Sequence, residues 1–340
     1  MKLYGGIDLH STNSVVAVTD ENDKVVYRKR LPNDLNTILT VLEPYRGALE
    51  GLVVESTYNW YWLVDGLKEA GYRMHLAHTG AIKQYEGLKY SDDDTDACWL
   101  AKLLRLGLLP EGYIYPKEQR PVRDLLRKRS QLVRQHTANV LSVQNLMARN
   151  RGASIGANAV KRLDFDQVDQ LLENESLVLA VASTLVVMRS QQQMIALVEK
   201  VAHRHMKHSA ALKHLLTVNG IGEILGLTIL LETGDIGRFE RVGNYVSYCR
   251  CVDSKRISNG KQKGKGNRKN GNKYLAWAFV EAANFAVRYA PRIKRYYQRK
   301  KARSNGIIAI KTVAHKLARA CYFILRDGVD FDVDVEKAFA

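Results

Sequence analysis

The chain opens with three short apolar bursts, Leu3 to Leu9, Ser14 to Val18 and Val25 to Arg30, separated by the polar turn residues Ser11 and Asn13, then Asn22 and Asp23. Such spacing predicts a three-stranded meander. Asn33 is positioned to cap a helix through Leu42, Leu52 to Glu55 reads as a compact strand, and Tyr58 to Ala70 as a helix closed by Gly71. Tyr72 to Ala77 gives a fifth strand. Asp93 to Leu106 repeats apolar residues at helical spacing. Three strands, helix, strand, helix, strand, helix is the element order of the ribonuclease H-like fold, an α/β layer structure.

Beyond Pro110 and Pro116 the period changes. Pro121 opens a helical stretch in which Leu125, Leu132, Val133, Val140, Val143 and Met147 recur at three- and four-residue spacing, with Arg and Gln between them. The pattern pauses at Arg151 to Ala157 and resumes from Leu171 to Met206. An antiparallel helical hairpin or coiled coil is expected here, serving dimerisation or spacing. Three domains follow from this reading: 1–112, 113–208 and 209–340. The last is mainly helical. In it Val218-Asn219-Gly220-Ile221-Gly222 resembles the turn of a helix-hairpin-helix unit, whose glycines let backbone amides approach a DNA phosphate; a plain turn between packed helices is the alternative. Ile307 to Leu325 is an amphipathic helix.

Charge narrows the partners. Lysine and arginine number 52 against 35 aspartates and glutamates, a formal charge of +17 that favours polyanions. The basic residues concentrate in Ser254 to Lys273, which holds Lys255, Arg256, Lys261, Lys263, Lys265, Arg268, Lys269 and Lys273 and no acid. Such a segment is expected to stay mobile until nucleic acid orders it. No membrane role is indicated, because the longest apolar stretch, Leu177 to Met188, is interrupted by Ser183 and Thr184 and is too short to span a bilayer. The strand pattern starts at the beginning of the chain, with no secretory leader ahead of it, so a cytoplasmic location is expected. Four cysteines make no disulfide framework and read as buried thiols.

The candidate chemistry is a set of carboxylates. Asp8 lies in an apolar strand after Gly5 and Gly6, which leave room for a backbone or a ligand to approach. Glu55 ends the run Leu52-Val53-Val54, and neighbouring strands would bring both acids to one sheet edge. At helical spacing Asp93 and Asp96 share the stripe of Ala97 and Leu100, whereas Asp92 and Asp94 point to either side. Acids also decorate helix starts for their effect on the dipole alone. Four converging carboxylates need cations, and a pair of Mg²⁺ or Mn²⁺ ions on them would promote phosphoryl transfer. Ser258, within Arg256-Ile257-Ser258-Asn259-Gly260, has a hydroxyl surrounded by cations that could attack a phosphodiester; Ser254 has nearly the same surroundings.

Gly6-Ile7-Asp8, Val54-Glu55-Ser56-Thr57, the helix carrying Asp93, Asp96, Ala97 and Ala101, Val218 to Gly222, Thr233 to Phe239 and Asn270 to Leu275 together resemble the DEDD transposases of the insertion-sequence family called IS one-ten, in particular its IS eleven-eleven subgroup. The resemblance implies a RuvC-like domain holding metal on Asp8, Glu55, Asp93 and Asp96, a helical connector, and a C-terminal domain with a catalytic serine, which maps onto Ser258. It also implies a bacterial, nucleoid-associated recombinase that acts on donor and target double-stranded DNA, is guided by a structured bridge RNA, and works as a dimer or dimer of dimers. Tyr248-Cys249-Arg250-Cys251-Val252-Asp253 departs from the Gly-Leu-x-Pro type of sequence that precedes the serine in the family, so Ser254 stands as the second candidate. Other readings of the residues are a Holliday-junction-like nuclease, an actin-like ATPase or kinase suggested by the Gly5 to Thr12 hairpin, and a nucleic-acid-binding protein without catalysis.

Overall fold

A computed structural model of the protein describes residues 1–82, 93–206, 209–253, 256–264 and 270–331. They form two compact units, Met1–Lys117 and Glu118–Ala340.

The first unit is built on a five-stranded sheet. Strands β1 (Leu3–Leu9), β2 (Asn13–Asp20), β3 (Val25–Pro32), β4 (Leu49–Glu55) and β5 (Met74–Ala77) lie in the order β3-β2-β1-β4-β5. The meander β1-β2-β3 is antiparallel, while β4 and β5 join β1 in parallel. Helices α1 (Leu35–Leu42) and α2 (Tyr61–Glu69) cover one face, where Ile7, Leu9, Leu52 and Val54 meet Ile38 and Leu63. Helix α3 (Asp93–Arg105) covers the other, packing Ala97 on Val15 and Ala17 and Leu100 on Val53. Because side chains alternate along a strand, the residues of β1 and β4 divide between the two faces.

Gly6 is the seat of α3. A Cβ there would lie 2.0 Å from the carbonyl oxygen of Ala97 and 2.9 Å from the amide nitrogen of Ala101. Helix and strand therefore touch backbone to backbone. The room expected at Gly5-Gly6 is taken by a helix at Gly6, whereas at Gly5 it is filled by the side chain of Leu52. Asn33 does not cap α1. Asp34 does, accepting from the Thr37 amide at 2.7 Å.

Among the described residues the second unit is helical apart from one hairpin. Its two long helices are α4 (Arg120–Arg151) and α7 (Glu175–Met206), joined through the short α5 (Ala157–Val160) and α6 (Phe165–Leu171). Pro121 starts α4 where a missing amide costs nothing, and Gly152 at φ 68° ends it. The pair is antiparallel: Arg129 bonds Glu199, Asn139 bonds Gln191, and Met147 shares a cluster with Val181. Helices α8 (Ala210–Leu216), α9 (Glu223–Thr233), α10 (Val242–Tyr248), α11 (Lys273–Tyr289), α12 (Pro291–Arg303) and α13 (Gly306–Asp327) follow. The buried Tyr245 and Phe279 and the alanine face of α11 lie at the centre of their core. Burial pushes the Cys251 thiol up to about 12 and raises those of Cys249 and Cys321, as expected of inert thiols. Among the described residues no helix is long and apolar enough to cross a membrane.

The basic segment is corrected in part. Arg256–Ser258 and Lys261–Gly264 pair as strands β6 and β7, with Asn259 at φ 50° and Gly260 at φ 67° between them. Both turn residues are left-handed, the geometry that Asn-Gly favours in a two-residue hairpin. Charge repulsion suggested no structure here, and the Asn259-Gly260 dipeptide carried the opposing signal.

Candidate active site

Asp8 is the last but one residue of β1, and Glu55 ends β4. The parallel register pairs Ile7 with Val54, so the next residues, Asp8 and Glu55, emerge side by side where the strands finish. Both follow the alternation that places Gly6 and Val53 under α3, and Asp8 is only 4 % exposed. Open α/β sheets put ligands at this carboxyl edge.

Helix α3 supplies the third acid. Ala97 rests on the sheet beside Gly6, and the preceding residue, Asp96, comes within electrostatic reach of Glu55. Burial, followed by a hydrogen bond and charge from Asp8 and the charge of Asp96, pushes the Glu55 carboxyl up to about 7; the charge of His10 opposes this. Without a cation, Glu55 thus holds its proton to a higher pH than an ordinary glutamate does. Among the described residues no group of three or more His, Cys, Asp or Glu side chains is gathered closely enough to hold a metal ion. The Asp93 side chain lies outside those described; its backbone begins α3. The oxygen-only donors and their mutual repulsion fit a hard divalent cation.

Two features around these acids escaped the sequence reading. His10 Nε2 stands 3.2 Å from Asp8 Oδ2. The spacing Gly6, Asp8, His10 was its available signal, since alternate residues of an extended chain share a face. The carbonyl of His10 accepts hydrogen bonds from Asn33 Nδ2 at 3.0 Å and Asn59 Nδ2 at 2.9 Å. Asn33 also accepts from Ser14 Oγ at 2.6 Å, and Asn59 from Thr57 Oγ1 at 2.8 Å. The segments after β3 and β4 are thereby tied to one atom of the loop after β1, next to the acids that end β1 and β4.

Ser258 lies in the second unit, exposed at the end of β6 and paired with Lys261. Lys261 and Lys263 are exposed on β7, and Lys273 is exposed at the start of α11. Arg256 begins β6, while Ser254, Lys255, Lys265, Arg268 and Lys269 lie outside the described residues. Gly220 and Gly222 occupy the turn between α8 and α9. Gly220, at φ 92°, packs against the backbone of α11, where a Cβ would lie 2.3 Å from Ala282 O; Gly222 faces open space.

The hairpin is clasped at its base. Arg250 donates to the Gly271 carbonyl through Nε at 3.0 Å and Nη2 at 2.7 Å, and the Asn272 amide donates to Tyr248 O at 2.6 Å. Asn272 caps α11 and donates through Nδ2 to Glu232 Oε2 at 2.7 Å. Glu232, only 2 % exposed on α9, also accepts from Arg127 at 2.5 and 2.7 Å and from Arg123 at 3.2 Å. Burial favours protonation of Glu232, but Arg127, Arg123 and Asn272 overcome it and hold the carboxyl below its usual range. A lone acid in the apolar run Ile229-Leu230-Leu231-Glu232 was the signal for this buried network.

Comparison with known proteins agrees with the geometry. Residues 5–150 match the DEDD transposase family of the IS110 type, and residues 212–298 match the Transposase IS116/IS110/IS902 family. A Pseudomonas aeruginosa protein named as a family 20 transposase is 24% identical over 290 residues, 83% of this chain and 83% of its own. A Sinorhizobium fredii protein named as transposase y4qE is 24% identical over 329 residues, 95% of this chain and 81% of its own. DEDD domains generally use divalent metal, and the sheet found here is that of a ribonuclease H-like fold. The chain belongs to the IS110 family of insertion-sequence transposases, enzymes that cleave and transfer DNA.

Proposed function

We propose that this transposase is a site-specific, RNA-guided recombinase in which Asp8, Glu55, Asp93 and Asp96 hold Mg²⁺ or Mn²⁺ and Ser258 is the nucleophile. The single observation that carries the metal site is the buried Asp8 beside the half-buried Glu55, with Asp96 in electrostatic reach, at one sheet edge. Bound divalent metal would neutralise charge on the phosphodiester oxygens and polarise phosphorus toward attack.

The steps performed by the chain's own groups follow. Ser258 Oγ loses its proton and forms a bond to phosphorus, while the bond from phosphorus to one sugar oxygen breaks and that oxygen takes up a proton. A hydroxyl of the second DNA then attacks the phosphoserine, which restores the serine and joins the strands. Exposure of Ser258 at the end of β6, beside the Asn259-Gly260 turn, supports this role, since the hydroxyl can reach DNA without unfolding. Lys255, Arg256, Lys261, Lys263, Lys265, Arg268, Lys269 and Lys273, with the Gly220 and Gly222 turn, are assigned to nucleic-acid contact.

Donor and target DNA and a structured guide RNA are the partners, and the protomers assemble through the middle helices. The exposed Leu179, Val186, Met194 and Leu197 on α7 support a second copy of the chain there. The deciding experiment incubates the protein with Mg²⁺, element-end DNA and RNA transcribed from the element's own non-coding flank. A denaturation-resistant protein–DNA adduct is expected from the unaltered chain and from Glu55→Gln at most in trace amount. Strand cleavage that persists in Ser258→Ala with no adduct would assign hydrolysis by water and make the enzyme a structure-specific nuclease.

A further inference from the structure

Helix α12 carries charge that works against its own formation. Seven of its 13 residues are basic and none is acidic. Lys300, Lys301 and Arg303 suit the helix C-terminus, but Arg292 and Lys294 sit in the first turn, against the positive end of the dipole, with Arg295 directly after them. Lys294, Arg295, Lys301 and Arg303 have no carboxylate partner among the described residues. The neighbouring helix adds to the crowding. Lys316 of α13 and Lys300 of α12 both lie over the ring of Tyr296, at 4.9 and 5.7 Å. Burial, then the charges of Lys300 and Arg319, hold the Lys316 ammonium below its usual range.

The basic residues are also ordered. At about 100° per residue, Arg292, Arg295, Arg299 and Arg303 form one stripe beside the buried Ile293 and Tyr296, while Lys294 and Lys301 lie on the opposite side. Arg295, Arg299 and Arg303 are exposed. The stripe is about 16 Å long at 1.5 Å per residue. Over that length one strand of duplex DNA presents about five phosphates. Arginines three and four residues apart repel each other in an isolated helix, and Arg295 and Arg303 have no carboxylate beside them among the described residues to offset this.

We infer that the arginine stripe of α12 is a binding site for the phosphate backbone of duplex DNA, separate from the serine hairpin. Guanidinium forks suit phosphate oxygens, and a bound strand would offset the repulsion between neighbouring arginines. The inference rests on DNA as the substrate of the proposed recombinase, and it concerns binding alone.

The test measures affinity of the full-length protein for a mixed-sequence DNA duplex as salt is varied, in EDTA, so that strand chemistry plays no part. Arg295→Gln with Arg303→Gln should flatten the dependence of log affinity on log salt by nearly two phosphate contacts. Between 0.05 and 0.2 M salt the unaltered chain should then lose about tenfold more affinity than this pair does. Lys294→Gln with Lys301→Gln removes the same charge from the other side of the helix and should leave the slope within error. Equal flattening by both pairs would reduce the stripe to general charge, and no flattening by the first would remove it as a site. Loss confined to a structured RNA hairpin, with duplex binding intact, would overturn DNA as the ligand. Melting curves that match the unaltered chain's confirm that both pairs fold. Failure of Ser258→Ala or Glu55→Gln to block strand transfer would sink the catalytic proposal and leave these slopes unchanged.

Discussion

Glu55 has a carboxyl whose protonation reports on its surroundings. Because the folded, metal-free site holds it up to about 7, stability from this group is present at acid pH and is lost as pH rises from the ordinary glutamate range through 7. Metal must displace the proton, so Mg²⁺ affinity should climb over the same interval. Melting temperatures at pH 6 and 8, with and without Mg²⁺, check this: the metal should raise stability more at pH 8, and Glu55→Gln should lose the difference. Gly6 allows an equally local prediction. The Gly6→Ala methyl would meet the backbone of α3 at 2.0 Å, and overpacking of this kind costs about 1–3 kcal/mol. Chemical denaturation should show that loss, together with reduced metal-dependent cleavage, because Asp96 moves with the helix. A Gly5→Ala methyl meets the side chains of Leu52 and Leu49 rather than backbone and should be milder.

At the scale of elements, the first unit was legible because period-two and period-3.6 patterns barely overlap there. β1 and α3 were expected within a residue of their observed ends, and the four acids proposed as metal ligands lie on the strands and helix expected for them. What the sequence concealed was contact between distant positions. Nothing in Asn33 or Asn59 alone announces that both bond the His10 carbonyl, and the partners of Glu232 lie far away on α4 and α11. Removing one member of that buried cluster leaves the others uncompensated. Glu232→Ala should therefore cost about 3–5 kcal/mol in denaturant titration, whereas Glu240→Ala, on an exposed side chain, should cost almost nothing. The hairpin was misread because its charge pointed to disorder while its turn dipeptide pointed to order. Gly260→Val would force a branched side chain into a left-handed turn and should loosen β6 and β7, read as faster amide exchange at Ile257 and Gln262.

For the molecule as a whole, charge and assembly are the accessible properties. A chain of +17 should bind polyanions more weakly as salt rises, and an affinity that ignored ionic strength would count against electrostatic docking altogether. Apolar residues left on the outside of α7 predict association: Leu179→Glu combined with Leu197→Glu should shift light-scattering mass toward the monomer without lowering the melting temperature. The clasp formed by Arg250, Gly271, Asn272 and Tyr248 bears on how such a protein diversifies. Its closure does not depend on the peptide it encloses, and lengthening a closed loop costs only logarithmically in entropy. The region between the clasped ends behaves as an exchangeable cassette. A relative's corresponding stretch, longer or shorter, could be spliced between Arg250 and Gly271 and carry its own DNA preference onto an unaltered helical frame.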